Sequence, residues 1–416
     1  MAEYYSTKTN FFGSTNPEKL IKEFGSPLYV YNEKILRQRC RDMKNLVDYK
    51  NFIPNYSIKA NSNLHLIKIV KEEGLRADAM SAGEIQLLLH AGFAPENLFF
   101  VPNNVSEAEL KYAVDKGVLV SVDSLSQLEL LGKLNQGGKA AVRFNPGVGA
   151  GHHEKVVTAG KKTKFGVNMD CVDQVKEISK KYSLKICGVN QHIGSLFMEG
   201  DSYIEGVKSL LSIAEQFENL DFVDMGGGFG IPYKKQEGQE RLDLASFREK
   251  LTKVLEQWTE KYGKKILFKT EPGRYIVAES GILLGSVYAT KTNYGKKYAG
   301  TDIGFNVLAR PVMYDSHHDI EVYRNGEPIN GDAAEEVTVV GNICESGDII
   351  AKNRVLPAIK EGDILGVMDA GAYGYAMSSN YNMRLRPAEV LIKEDGEPVL
   401  IRRGDTFEDL IANFNV

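Results

Sequence analysis

Phe52-Ile53-Pro54-Asn55-Tyr56-Ser57-Ile58-Lys59-Ala60-Asn61 is an apolar, strand-like run with a lysine at its tip. It opens a series of such runs, and strands are expected at 55–59, 75–79, 98–101, 119–122, 140–144, 186–192, 222–225 and 266–270. Between them, segments 65–73, 84–91, 107–116, 203–217 and 246–262 place apolar residues three and four apart, which is the helical period. A helix-like segment over 33–47 precedes the first run. Strand alternating with helix implies a parallel sheet with right-handed crossovers. Eight strands in roughly 220 residues favour closure into a (β/α)8 barrel of the TIM type over an open sheet. After Arg274 the texture changes. Runs at 282–290, 319–323, 336–340, 364–368, 388–392 and 399–402 read as strands, and Asn325-Gly326 and Asp395-Gly396 read as tight turns. The expected fold class is therefore α/β: a (β/α)8 TIM-like barrel plus a C-terminal all-β domain.

The chain has 416 residues, 43% hydrophobic and 25% charged, enough for one large domain and a second. Its formal charge of −4 argues against nucleic-acid or anionic-membrane partners, which favour a basic face, and points to small-molecule chemistry. The opening Met1-Ala2-Glu3-Tyr4-Tyr5-Ser6 shows no basic segment leading into an apolar one, and no run approaches the ~20 apolar residues that span a bilayer, so a cytoplasmic protein is expected. Cys40, Cys171, Cys187 and Cys344 form no CxxC pair, which suggests neither a disulfide framework nor a zinc site. His152-His153 and His317-His318 lack further spaced ligands, so no metal is expected.

Barrels of this type carry their chemistry at the C-terminal strand ends, and phosphate often binds the loops after the last two strands. Lys59 sits at such an end. Desolvation there lowers an amine's pKa and makes it a Schiff-base candidate, although a lysine snorkelling out of a core strand would look the same taken alone. The seventh run ends in Gly226-Gly227-Gly228-Phe229-Gly230 and the eighth in Glu271-Pro272-Gly273-Arg274. Glycines let backbone N–H groups approach phosphate oxygens, and they also close ordinary tight turns. A Rossmann reading is poor, because the glycine run comes late in the chain rather than in a first βαβ unit. His192-Ile193-Gly194-Ser195 follows the sixth run; a lone histidine there is more often structural, but its company shifts the balance. An amine, a ring to stack on, a phosphate cup and a carboxylate are together what pyridoxal phosphate requires.

Further motifs are Arg143-Phe144-Asn145-Pro146-Gly147-Val148, Lys164-Phe165-Gly166, Arg310-Pro311-Val312-Met313-Tyr314, Cys344-Glu345-Ser346-Gly347-Asp348 and Gly371-Ala372-Tyr373-Gly374-Tyr375. In order and spacing, nearly end to end, the whole set resembles the fold-type III pyridoxal-phosphate decarboxylases. That group acts on diaminopimelate, ornithine and arginine and is built from an alanine-racemase-like barrel and a β domain. The resemblance implies a barrel over 32–275 and a β domain formed by 1–31 with 276–416, the N-terminal segment joining the latter. It implies that Lys59 carries pyridoxal 5'-phosphate, that His192 stacks on its ring, that Ser195, Gly226, Gly227, Gly228, Gly273 and Arg274 hold the phosphate, and that Glu271 pairs with the pyridine nitrogen. Arg274, Arg310 and Tyr314 would grip substrate carboxylate, Glu345 would meet an ammonium, Tyr373 would close the site beside cofactor and substrate, and Cys344 would donate a proton.

The small-molecule substrate implied is an amino acid, meso-2,6-diaminopimelate, and the assembly is a homodimer with shared active sites. Ornithine, arginine or a carboxylated polyamine precursor such as carboxynorspermidine would leave Arg310 and its neighbours superfluous. A racemase benefits from a weaker electron sink than Glu271 implies, and a non-catalytic regulatory paralogue would not need Lys59, Glu271 and Cys344 intact. One departure stands out: where many relatives have Asn-Asn-Lys-Ser after the third strand, this chain has Asn103-Asn104-Val105-Ser106, which removes any role for a lysine there.

Overall fold

The structure, a computed structural model, describes residues 4–147, 150–151, 163–329 and 333–415. The chain divides into two compact units, Arg39–Ile231 with Arg241–Ile276, and Met1–Gln38 with Pro232–Glu240 and Val277–Val416.

The first unit is a closed parallel barrel. Its strands are Phe52–Ser57, Arg76–Ala79, Leu98–Phe100, Leu119–Val122, Lys139–Asn145, Lys185–Asn190, Phe222–Asp224 and Leu267–Thr270. Each pairs in parallel with the next, and the last returns to the first with Phe268 opposite Phe52. Helices cover the outside of such a sheet, so its short strands are largely apolar and buried on both faces, as in Leu98-Phe99-Phe100. Several of the intervening helices start at side-chain caps that accept from the first-turn N–H groups: Asn63, Ser81, Asp243 and a reciprocal Ser106/Glu109 box.

Two strand ends fall two residues short of the sequence reading. The first strand stops at Ser57, and Lys59 lies in a single 3-10 turn, Ile58–Ala60. Ser57 is the last residue paired with the second strand, opposite Asp78, and its N–H donates to Pro272 O beyond the end of the eighth, so the chain leaves the ladder just before the lysine. The sixth strand stops at Asn190, two residues before His192.

The second unit is built on a ten-stranded sheet. Leu28–Asn32 is central to it, antiparallel to Gly281–Asn293 on one side and parallel to Ala388–Ile392 on the other. Its core gathers Phe11, Leu20, Leu28, Val30, Ile282, Leu284 and Val390. Four of its strands lie outside the sequence reading: the central Leu28–Asn32, the two-residue Glu327–Pro328, Lys296–Thr301, which is short and polar, and Ile349–Pro357, whose apolar ends are separated by Lys352-Asn353-Arg354. The motif Arg310–Tyr314 folds as a short helix.

Candidate active site

Three strand ends of the barrel unit are tied into one cradle. Ser57 N–H donates to Pro272 O at 3.1 Å and Ser57 Oγ to Glu271 O at 3.3 Å, which stitches the end of the first strand to that of the eighth. Tyr56 Oη donates to Asn61 O at 2.8 Å, and Asn63, whose own N–H goes to Asn61 Oδ1, caps the following helix. The turn that presents the half-buried Lys59 is therefore fixed at both ends.

The glycine run depends on its missing side chains. Gly226 has φ +76°, and a Cβ there would lie 2.2 Å from Gln191 O; one on Gly227 would lie 2.1 Å from Glu271 O. Both are impossible contacts, so only glycine allows this loop to lie against the sixth and eighth strand ends. Its carbonyls and amides are anchored from below. Gly226 N–H donates to Asp224 Oδ1, while Gly226 O accepts from Tyr203 Oη and Thr270 Oγ1. Phe197 N–H donates to Gly228 O, and Arg274 donates to Ser195 Oγ at 2.9 Å. Gly227 N–H donates to His192 Nδ1 at 3.3 Å, which leaves the Nε2 hydrogen on the neutral ring.

The electrostatics follow from burial. Glu271 is 4% exposed, and its Oε1 has no hydrogen-bond partner among the described residues. Burial, then Asp224 and Asp78, lift its carboxyl well above the usual range, opposed by Lys59 and Arg143. Burial drives His192 well below the usual imidazole range, with Lys59 and Arg143 adding to it. The 4.0 Å approach of His192 Nδ1 to Glu271 Oε2 is thus a contact between neutral groups rather than an ion pair.

Three further groups share this field and were not singled out for a role from sequence. Asp78 lies across from Ser57 on the second strand, is fully buried, and is pushed up to about 8 by burial against the pull of Lys59. Glu84 is also raised by burial, held by the Met80 N–H and drawn down by Lys59. The Arg143 guanidinium, lowered by burial, lies 4.6 Å from the Phe165 ring centre and interacts with Glu271 and Asp123. A carboxylate inside the buried strand Arg76-Ala77-Asp78-Ala79 was the one sequence signal for this layer.

The second unit holds the remaining residues named from sequence. Cys344 is exposed in a loop, and its N–H donates to Asn382 Oδ1 at 2.9 Å. Glu345 accepts from Tyr381 Oη at 2.5 Å, and the Tyr381 ring stacks on Phe305. Arg310 is 2% exposed, with its guanidinium against His318 Nε2 at 2.7 Å, Ser316 Oγ at 3.3 Å and the Tyr233 ring at 4.6 Å. His318 Nδ1 lies 2.7 Å from Met368 O; the tautomer that donates there leaves Nε2 to accept from Arg310. Tyr314 ends the short helix that Arg310 begins. Tyr373 sits at φ +57°, unusual for a bulky residue, between Gly371 and Gly374, whose Cβ positions are filled by Val277 O and Ala370 O. His317 contacts Asp319 at 2.9 Å. No group of three or more His, Cys, Asp or Glu among the described residues could hold a metal, and no described helix is long and apolar enough to cross a membrane. Val148, His152 and His153 lie outside the described residues.

A barrel with an amine, a neutral ring, a glycine cradle and a buried acid at adjoining strand ends defines an enzyme that carries a phosphorylated, nitrogen-ring cofactor. Comparison with known proteins agrees. The family described as pyridoxal-dependent decarboxylase, pyridoxal binding domain, matches residues 33–278. Diaminopimelate decarboxylase of Methanothermobacter thermautotrophicus is 41% identical over 413 residues, covering 97% of this chain and 95% of that protein. Its namesake from Escherichia coli K12 is 32% identical over 424 residues, with 98% of each covered. The crystal structure of diaminopimelate decarboxylase from Helicobacter pylori complexed with L-lysine superposes with a TM-score of 0.86 at 30% identity, over 95% of this chain and 98% of that one. The chain belongs to the pyridoxal-dependent decarboxylases and, within them, to the diaminopimelate decarboxylase family. Its cofactor is pyridoxal 5'-phosphate. The residues fit that group: the glycine cradle that a Cβ would fill suits a phosphate, and the unengaged Glu271 Oε1 suits a protonated pyridine nitrogen.

Proposed function

We propose that this chain decarboxylates meso-2,6-diaminopimelate to L-lysine and CO2, the last step of lysine biosynthesis, in the cytoplasm and as a homodimer with shared active sites. Its working parts are a pyridoxal-binding barrel over 32–275 and a β domain of 1–31 with 276–416. The observation that carries the chemistry is the buried acid Glu271, with Oε1 unengaged, on a strand end stitched to the one that presents Lys59. Pyridoxal phosphate, when bound, supplies the electron sink for the pair left behind by departing CO2.

Lys59 offers the amine that holds the cofactor. Ser195, Gly226, Gly227, Gly228, Gly273 and Arg274 hold its phosphate, and the neutral His192 ring supplies an apolar plate without repelling a cationic pyridine. Glu271 holds a proton on the pyridine nitrogen, which favours loss of carboxylate over racemisation. Cys344 Sγ delivers the proton that replaces the lost carboxyl on the substrate Cα. Arg274, Arg310 and Tyr314 receive substrate carboxylate, with the Arg310 guanidinium already oriented by His318 and Tyr233. Glu345 meets the distal ammonium, and Tyr373 closes the pocket.

Two experiments test this. The first measures CO2 and product from meso-diaminopimelate, ornithine, arginine and lysine in separate incubations; ornithine as the better substrate refutes the assignment. The second mixes inactive Lys59→Ala with inactive Cys344→Ala. If Lys59 of one subunit works with Cys344 of the other, random exchange restores roughly a quarter of wild-type activity, because half the dimers are mixed and half of their sites are intact. No recovery despite confirmed exchange places both residues in one chain's site or leaves Cys344 a packing residue.

A further inference from the structure

The opposite mouth of the barrel, where the strands begin, holds a second cavity of about 430 Å3. Arg76, Leu119, Lys139 and Leu267 each open a strand, and all four line it together with Cys187, Phe222 and Lys269. This end lies away from the strand termini that carry Lys59 and Glu271.

Two cations on this wall make no hydrogen bond or close ion pair among the described residues. Lys269 is 7% exposed, and its ammonium makes no hydrogen bond or ion pair among the described residues; its Nζ rests 3.7 Å from the Phe222 ring centre and 4.9 Å from that of Phe99. The Arg76 side chain likewise has no acid or hydrogen-bond partner among the described residues. The nearby acids offset the pair only in part: Asp224, opposite Lys269 on the neighbouring strand, attracts its ammonium but accepts its hydrogen bonds from Gly226 N–H and Asn55, Asp221 is taken by Lys139 at 3.0 Å and Lys185 at 3.4 Å, and Glu96 is exposed. A buried ammonium that no carboxylate meets within ion-pair distance is poorly compensated, and a second cation on the same hollow without an ion pair adds to the penalty. A bound anion relieves both. Val114, Val118, Phe222 and Leu267 supply the apolar part of the wall.

We propose that this lower mouth is a second ligand site, for a small monocarboxylate whose oxygens meet Lys269 and Arg76 and whose short apolar tail lies on Phe222, Leu267 and Val118. Burial lowers Lys269 to about 8, with Asp224 opposing and Arg76 adding, so the amine is still protonated at neutral pH and able to bind an anion. Nothing in this site depends on the decarboxylase reading, since none of its residues belongs to the cofactor cradle.

The test is isothermal titration of sodium butyrate into holoenzyme, against sodium chloride at equal ionic strength. Saturable binding with one site per chain is expected, and Lys269→Met and Arg76→Leu should each weaken it at least about tenfold, as when one charge-assisted hydrogen bond is lost. Arg76→Leu should keep wild-type decarboxylase turnover, and Lys269→Met is checked for fold by its melting curve and bound-cofactor absorbance; if it fails to fold, Arg76→Leu decides alone. Absence of saturable binding to the wild type, or affinity unchanged by the substitutions, overturns the proposal. Inorganic phosphate serves as the second probe: weaker binding than butyrate supports a carboxylate with an apolar tail, and tighter binding overturns that choice of ligand.

Discussion

Replacing Asp78 by asparagine should stabilise the cofactor-free protein, and by more as pH rises. Asp78 is fully buried, with neither oxygen in hydrogen-bond geometry to a described partner, and burial carries its carboxyl from 3.8 up to about 8. A raised carboxyl means that the folded state holds a proton the unfolded state has released. The resulting penalty is absent below about pH 4, grows with rising pH, and levels off above about 8. Its slope is about 1.4 kcal/mol per pH unit, so at pH 7 the burden is at most about 4 kcal/mol. Asparagine does not titrate, but it brings a buried amide with its own unmet donors, which returns roughly 1–3 kcal/mol. The net gain expected at pH 7 is therefore on the order of 2 kcal/mol, falling to zero or below at pH 5. Urea unfolding of cofactor-stripped wild type and Asp78→Asn between pH 5 and pH 8 measures the difference directly. A difference that stays constant across that range refutes the reasoning, because an uncharged packing effect has no pH slope.

Three further outcomes concern the cradle itself. Lys59→Ala should abolish turnover, and borohydride reduction of wild-type holoenzyme should leave the pyridoxyl label on the Lys59 peptide; a label elsewhere ends the assignment. Glu271→Gln should lower kcat by at least about a hundredfold while changing the cofactor dissociation constant far less, since the phosphate cup is untouched; near-normal kcat would sink the proposed proton-holding role. Gly227→Ala forces a Cβ to within 2.1 Å of Glu271 O, so the loop must shift and cofactor affinity should fall on the order of tenfold to a hundredfold, which a fluorescence titration with pyridoxal phosphate reads.

The eight barrel strands were legible because a parallel sheet covered on both sides leaves compact apolar runs, and the helices between them keep a separate period. The cradle was legible for a related reason. A glycine run that tolerates no Cβ, and a proline-glycine step beside an acid, have few other uses at strand ends. Where sequence reading stopped short, the missing information was long-range. Lys296–Thr301 is a strand because Gly281–Asn293 and Ala334–Val340 pair with it, not because its polar residues favour one. Lys269 looks like any charged residue near a strand start until barrel closure places it over Phe222 and Phe99. The roles of Asp78 and Glu84 likewise exist only once three strand ends and a helix start meet around Lys59.

That meeting explains why the barrel should depend on its cofactor for stability as well as chemistry. Asp78, Glu84 and Glu271 are all raised by burial and Arg143 is lowered by it, so the bare site holds several groups whose charged forms are disfavoured relative to water. Each such shift is free energy withheld from folding. A cationic pyridine N–H at Glu271 would let that carboxyl ionise, and a carboxylate there would draw Arg143 back toward its ordinary range, since the two groups already oppose each other's shifts. A ligand that binds only the folded barrel and relieves these groups adds its binding energy to stability. The acids surrounding Lys59 are thus poorly arranged for a barrel alone and well arranged for one closed on a cation-bearing ring.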